Sequence, residues 1–189
     1  MELETIAQEV RACEKCGLCK ARTHAVPGEG PSDAAIMFVG EGPGQREDEQ
    51  GRPFVGAAGS LLNQLLLKAG LRRPEVFITN IVKCRPPDNR EPLPDEVAAC
   101  SDFLKRQIAA IKPSVICTLG RPASQTLIDP TLSISREHGV ARQVGGITYV
   151  PLYHPAAALH QQPLRPILIE DMRRLGPFLK GRGQGTGAR

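Results

Sequence analysis

The residues of this 189-residue chain best equipped for chemistry fall in a few short stretches. The richest is Gly40 to Gly59, GEGPGQREDEQGRPFVGAAG, in which Glu41, Glu47, Asp48 and an exposed-looking aromatic, Phe54, interrupt the glycines. It follows an apolar run, Ala34 to Val39, and precedes a helical pattern of leucines from Leu61 to Leu67. A buried strand, a glycine-rich loop and a helix form the usual setting for a ligand site in an α/β protein, at the carboxyl end of the strand. A phosphate cradle would need a lysine in the pattern GxxxxGK[ST], and here three carboxylates would repel phosphate instead. The glycine spacing and the late helix start also fail the dinucleotide fingerprint.

Six cysteines form the second group: Cys13, Cys16, Cys19, Cys84, Cys100 and Cys117. Cys13 and Cys16 have the spacing of a ligand pair, as do Cys16 and Cys19, and Cys84 and Cys100 bracket a proline-rich stretch. Four thiolates can hold zinc or an iron–sulfur cluster, and spacing does not separate the two. Cys117 lies within an apolar strand and reads as a small buried hydrophobe. Asn80 and His154 each follow a strand, where they can project into the cleft that Glu41 borders.

The elements that must carry these residues alternate between strand and helix. Strands are expected at about Ala35–Val39, Val76–Val82 and Ser114–Leu119, and a hairpin at Val140–Val144 and Ile147–Pro151 turning on Gly145-Gly146. Helices are expected from Leu3 to near Cys13, from Gly59 to Ala69, from an Asp95 cap to Ile111, near Pro122 and from about Arg165. Arg85 to Pro94 carries four prolines and reads as a stiff irregular loop. The alternation implies a mainly parallel sheet covered on both faces. Residues 1–180 read as one domain, with 181–189 as a disordered tail.

Composition narrows the function classes. A hydrophobic fraction of 41% and a net charge of +4 fit a soluble protein, and the charge permits nucleic-acid binding without requiring it. No apolar run is long enough to span a membrane, and the acidic amphipathic start does not resemble a signal peptide. A cytoplasmic monomer is expected. Aromatics at 4% disfavour a surface built from many base-stacking platforms.

Three motifs in order, GEGPGxxED…GRPFVGxAG, TNIVKCRPPxNRxPxPxE…C and HPAA, closely resemble the family 4 uracil-DNA glycosylases, the thermostable iron–sulfur type of bacteria and archaea. The resemblance covers Cys13 to about Leu159. It implies a three-layer α/β/α sandwich around a four-stranded parallel sheet, and a [4Fe–4S] cluster on Cys13, Cys16, Cys84 and Cys100 with Cys19 as bystander. It also implies removal of uracil from single- or double-stranded DNA, at the nucleoid of a bacterial or archaeal cytoplasm.

In that likeness Gly40 and Gly42 border the base, Phe54 stacks on it and Asn80 reads its edge. Glu47 crowds the C5 position and so excludes thymine. His154 stabilises charge at O2, while Glu41 and Asn89 serve the attacking water. Lys83, Arg85 and Arg90 would meet phosphates, and Leu159 would wedge into the duplex. The related X-type enzymes, trapped covalently on abasic DNA, resemble GEQPG and carry a histidine in the basic loop. Gly42 stands in place of that Gln, and residues 85–94 hold no histidine, so hydrolytic turnover is expected. The competing class is a non-catalytic iron–sulfur or zinc DNA-binding module.

Overall fold

The computed structural model describes residues 2–176 and 178. The tail expected over 181–189 lies outside the described residues.

Alternating apolar strand residues divide between two faces, and this division builds the layers. The central strands are β1 (Ile36–Gly40), β2 (Phe77–Asn80), β3 (Val115–Leu119), β4 (Arg142–Val144) and β5 (Ile147–Leu152). Ile36, Phe38, Ile78, Val115, Cys117, Val150 and Leu152 point into one cluster. Met37, Val39, Phe77, Ile116 and Tyr149 point into another. The first is covered by α3 (Ala57–Lys68), α7 (Pro155–His160) and α8 (Leu164–Arg173), through Leu62, Leu66, Ala158, Leu168 and Met172. The second is covered by α4 (Pro94–Ile111) and α5 (Arg121–Leu127), through Leu104, Ile111 and Ala123. The short helices α2 (Gln45–Gln50) and α6 (Ile134–Glu137) lie in connections, and α1 (Glu2–Ala12) packs on α4.

The strand order is β2-β1-β3-β5-β4. The four expected parallel strands are present, and the hairpin adds β4 as a fifth, antiparallel to β5. The carboxyl ends of β1, β2, β3 and β5 therefore emerge along one edge, and the order reverses between β1 and β3, where open α/β sheets bind ligands.

Two local details differ from expectation. The cap of α4 is not Asp95: Leu93 is the N-cap, Pro94 takes the first helical position, and the Glu96 carboxylate accepts the Leu93 N–H at 2.8 Å. The helix α2 also has no apolar residue in QREDEQ, and so carries no hydrophobic period to announce it.

The outer edge of β2 is covered by the loop before β1. Glu29 and Ile78 exchange both backbone hydrogen bonds, at 3.0 and 2.8 Å. Gly30 makes this approach possible: its φ is +140°, and a Cβ there would lie 2.3 Å from the Val76 carbonyl oxygen.

Candidate active site

The loops after β1 and β2 and the start of α7 after β5 close around a cavity of about 370 Å³. Its walls include Glu41, Gly42, Glu47, Phe54, Asn80, Asn89, Arg90 and His154, eight of the residues singled out from sequence. Gly40 lies beneath it. A Cβ on Gly40 would stand 2.5 Å from Asn80 Oδ1 and 2.6 Å from Phe54 Cζ, so only glycine leaves the space between amide and ring open.

Phe54 is buried, not exposed as its polar neighbours suggest. Its φ of +49° is in the left-handed region, which costs a residue with a side chain about 1–3 kcal/mol and needs outside support. Part of that support comes from Glu47. Its Oε1 accepts the N–H groups of Val55 and Gly56 at 2.8 and 2.9 Å. Next to Glu47, the buried Asp48 accepts the N–H groups of Thr23 and His24 and so ties α2 to the preceding loop. The Phe54 ring stacks on His154, with centroids 5.6 Å apart and an interplanar angle of 29°.

His154 caps α7 by accepting the Ala156 N–H at Nδ1, at 3.1 Å. A nitrogen that accepts cannot carry the proton, so the ring is the Nε2–H tautomer and offers a donor from Nε2. Burial lowers its pKa to about 4, against a smaller opposing pull from Glu47, so the ring is neutral at physiological pH.

Asn80 ends β2 and is almost wholly buried. Its Oδ1 is the one buried side-chain oxygen or nitrogen without a hydrogen-bond partner among the described residues. An unpaired buried acceptor costs about 1–3 kcal/mol, and here it borders a cavity that can admit a donor.

Glu41 is half-buried, and its carboxyl is held above the usual range by burial and then by the nearby Glu91, with Arg121 opposing. Asp88 and Asn89 are both left-handed, with φ of +52° and +54°. Arg85 Nε donates to Asn89 Oδ1 at 2.8 Å, leaving the Asn89 amide group, a donor, as its remaining polar end. Arg90 lines the cavity with its guanidinium paired to Glu96, at 2.7 and 2.9 Å. Leu159 is exposed on α7 and does not line the cavity.

The expectation for Lys83 is corrected. Its side chain is fully buried, and Nζ donates to Thr79 Oγ1, the Asn80 carbonyl and Gln107 Oε1, at 2.6, 2.9 and 2.7 Å. It cannot reach a phosphate. Burial lowers its pKa to about 7.

A second hollow lies behind Lys83. Cys13, Cys16, Cys19, Cys84 and Cys100 all line it, with Arg22 and Phe103, while Cys117 is buried in the core as expected. Arg22 Nη1 donates to Cys84 Sγ at 3.2 Å and to the Cys13 carbonyl at 2.7 Å, and Lys83 N donates to Cys100 Sγ at 3.3 Å. Burial raises both buried thiols, Cys100 to about 11, and these donors work against it. Among the described residues, no three His, Cys, Asp or Glu side chains form a single-ion site. Sequence reasoning missed Arg22 here, and Arg73 beside Phe54, because each sits in a basic pair or cluster that reads as solvated charge.

A mainly parallel α/β sheet with a partly apolar cavity at its carboxyl edge and an unpaired amide oxygen in the wall defines a small-ligand site with a polar reading group. The chain belongs to the uracil DNA glycosylase superfamily, whose model matches residues 27–173. It is 49% identical over 189 residues to the type-4 uracil-DNA glycosylase of Saccharolobus solfataricus, covering 95% of this chain and 88% of that protein. The type-4 enzyme of Archaeoglobus fulgidus is 46% identical, over 97% of this chain and 96% of its own. That of Thermotoga maritima is 45% identical, over 96% of each.

Proposed function

We propose that this chain is a uracil-DNA glycosylase: it hydrolyses the N-glycosidic bond of a flipped-out deoxyuridine in single- or double-stranded DNA, releasing uracil and leaving an abasic site for repair. The observation that carries the reading is the unpaired, buried Oδ1 of Asn80 beside the Phe54 ring. Uracil offers an N–H at N3 to that oxygen and a carbonyl at O4 to the amide group. Cytosine reverses both polarities and would leave the amide unpaired, the strongest kind of discrimination a polar pocket makes.

Phe54 supplies the face on which the extruded base stacks. Breaking the bond leaves negative charge on the base, and the Nε2–H of neutral His154 donates to O2 as that charge grows. No proton need be lost, because the ring enters the reaction neutral. Glu41, with its raised pKa, is the acceptor for a proton of the attacking water and faces the sugar cation. Asn89 holds the same water from the donor side, since Arg85 already occupies its oxygen. Glu47 acts through the loop it ties down and borders the C5 side, where a methyl group would crowd.

The five thiols around one hollow, supplied with N–H···S donors, suit a [4Fe–4S] cluster on Cys13, Cys16, Cys84 and Cys100. When bound, it would tie the end of α1 to the proline-rich loop as a structural clamp. Arg85, bonded to the cavity residue Asn89, and Arg90, whose guanidinium is shared with Glu96, are the proposed phosphate contacts, and Leu159 is the exposed apolar residue of α7 proposed for the duplex. The reading takes residues 1–180 as one domain acting as a monomer in the cytoplasm. No helix among the described residues is long and apolar enough to cross a membrane.

The test is alkali-induced strand cleavage of oligonucleotides carrying a single uracil, thymine or cytosine. Cleavage confined to uracil, and lost in Asn80→Ala and His154→Ala, supports the reading. Equal cleavage by wild type and variants overturns the site. An iron-loaded protein that binds DNA without cleaving it overturns the enzyme.

A further inference from the structure

We propose that Arg73 is a positioning residue that sets the base-stacking face of Phe54. The proposal rests on the reading of Phe54 as that face. Arg73 opens the 3-10 turn before β2, and its side chain is only 19% exposed. Every nitrogen of its guanidinium is engaged. Nη1 donates to the Phe54 carbonyl at 3.0 Å and to Asn63 Oδ1 at 3.1 Å, Nη2 to the Pro53 carbonyl, and Nε to Glu29 Oε1 at 2.9 Å.

The peptide unit joining Phe54 to Val55 is therefore held at both ends by opposite charges. Its carbonyl meets the Arg73 cation, and its N–H meets the Glu47 carboxylate. Such charge-assisted bonds are about twice as strong as neutral ones, and fixing this plane fixes ψ of Phe54. That is what a left-handed, non-glycine residue requires if it is not to relax. The planar fork of Arg suits two adjacent carbonyls and a carboxylate at once, which Lys cannot match.

The clamp also has a reference point. Glu29, which orients Arg73 and also accepts two bonds from Arg52, is bridged by its backbone to Ile78 of β2. Two residues further along, the same strand ends at Asn80. The ring and the amide, the two surfaces that meet the base, thus take their separation from one strand. That separation matters because the gap between them is only wide enough for a glycine at position 40.

The experiment is a double-mutant cycle on kcat/KM for uracil release, with Phe54→Ala, Arg73→Ala and the double variant, plus Arg73→Lys. Removing the ring should cost about tenfold or more. Arg73→Ala should cost about as much alone but less than about twofold once Phe54 is gone, with Arg73→Lys between it and wild type. If the two losses multiply, the clamp is wrong, because Arg73 then acts on something other than the ring. If Phe54→Ala has wild-type activity, the stacking face itself is wrong and the clamp falls with it. Should Arg73→Ala fail to fold, Arg73→Lys carries the cycle, and its penalty must likewise vanish without the ring. A purely structural Arg73 would instead show equal penalties in both backgrounds.

Discussion

At one end of the cavity Phe54, Asn80 and Gly40 are closed in by β2, by Glu47 and by Arg73, and the peptide joining Phe54 to Val55 is bonded at both its carbonyl and its N–H. At the other end Glu41 is half-buried and Asn89 exposed, and the Asn89 side chain is placed by a single bond from Arg85. On the proposed reading the contrast separates two tasks. Recognising a planar ring needs walls that do not move, because an amide that can rotate reads uracil and cytosine alike. Delivering water beside a DNA strand needs an edge open to solvent and backbone phosphates. His154 stands between, stacked on the Phe54 ring and tied through Nδ1 to the Ala156 N–H.

The largest expected effects come from the fixed end. His154→Ala should reduce kcat for uracil release by about 10²–10³-fold, the cost of losing one donor to a developing anion. Single-turnover kinetics would show it, and a loss confined to KM would mean that His154 only binds. Gly40→Ala should then lower kcat/KM by about tenfold or more, because the new methyl group meets both the amide and the ring. Wild-type activity in that variant would show that the base lies elsewhere.

The open end should declare itself in pH dependence. Glu41 must be ionised to accept a proton and its pKa is raised, so activity falls as pH drops through that raised value. Glu91→Gln removes the like charge and releases Arg121, so the acid limb should move to lower pH. A limb that stays in place would assign it to another group. His154 is not the first to titrate, since its pKa of about 4 lies below that of Glu41.

The last effect is on stability, away from the rate. In the unfolded chain His154 titrates near its ordinary value of about 6.5, and in the fold at about 4. Between these values the unfolded state binds more protons, so stability rises with pH across the window and is lost as pH falls through it. Denaturant titrations at the two ends of the window should show His154→Asn flattening this slope. An unchanged slope would place the acid sensitivity in other groups.

Much of the cavity wall was readable before any coordinates, since strand ends and breaks in hydrophobic period mark where Glu41, Asn80 and His154 must emerge. What could not be read were partners from distant elements. Lys83 looks basic and exposed beside Cys84 and Arg85, yet the groups that make its burial tolerable, Thr79 and Gln107, come from β2 and α4. Phe54 looks exposed among charges because the residues that enclose it, Gly40, Arg73 and His154 among them, belong to other segments. Arg22 and Arg73 have no motif at all; their function lies in the carbonyls and sulfur they reach across the fold.

Lys83 also joins the two hollows. Its main-chain N–H rests on Cys100, and its ammonium rests on the carbonyl of Asn80. Any displacement of Cys100 must therefore break one of these bonds or drag Asn80 with it. The segment from Asn80 to Lys83 is thus a mechanical link between the wall of one hollow and the wall of the other.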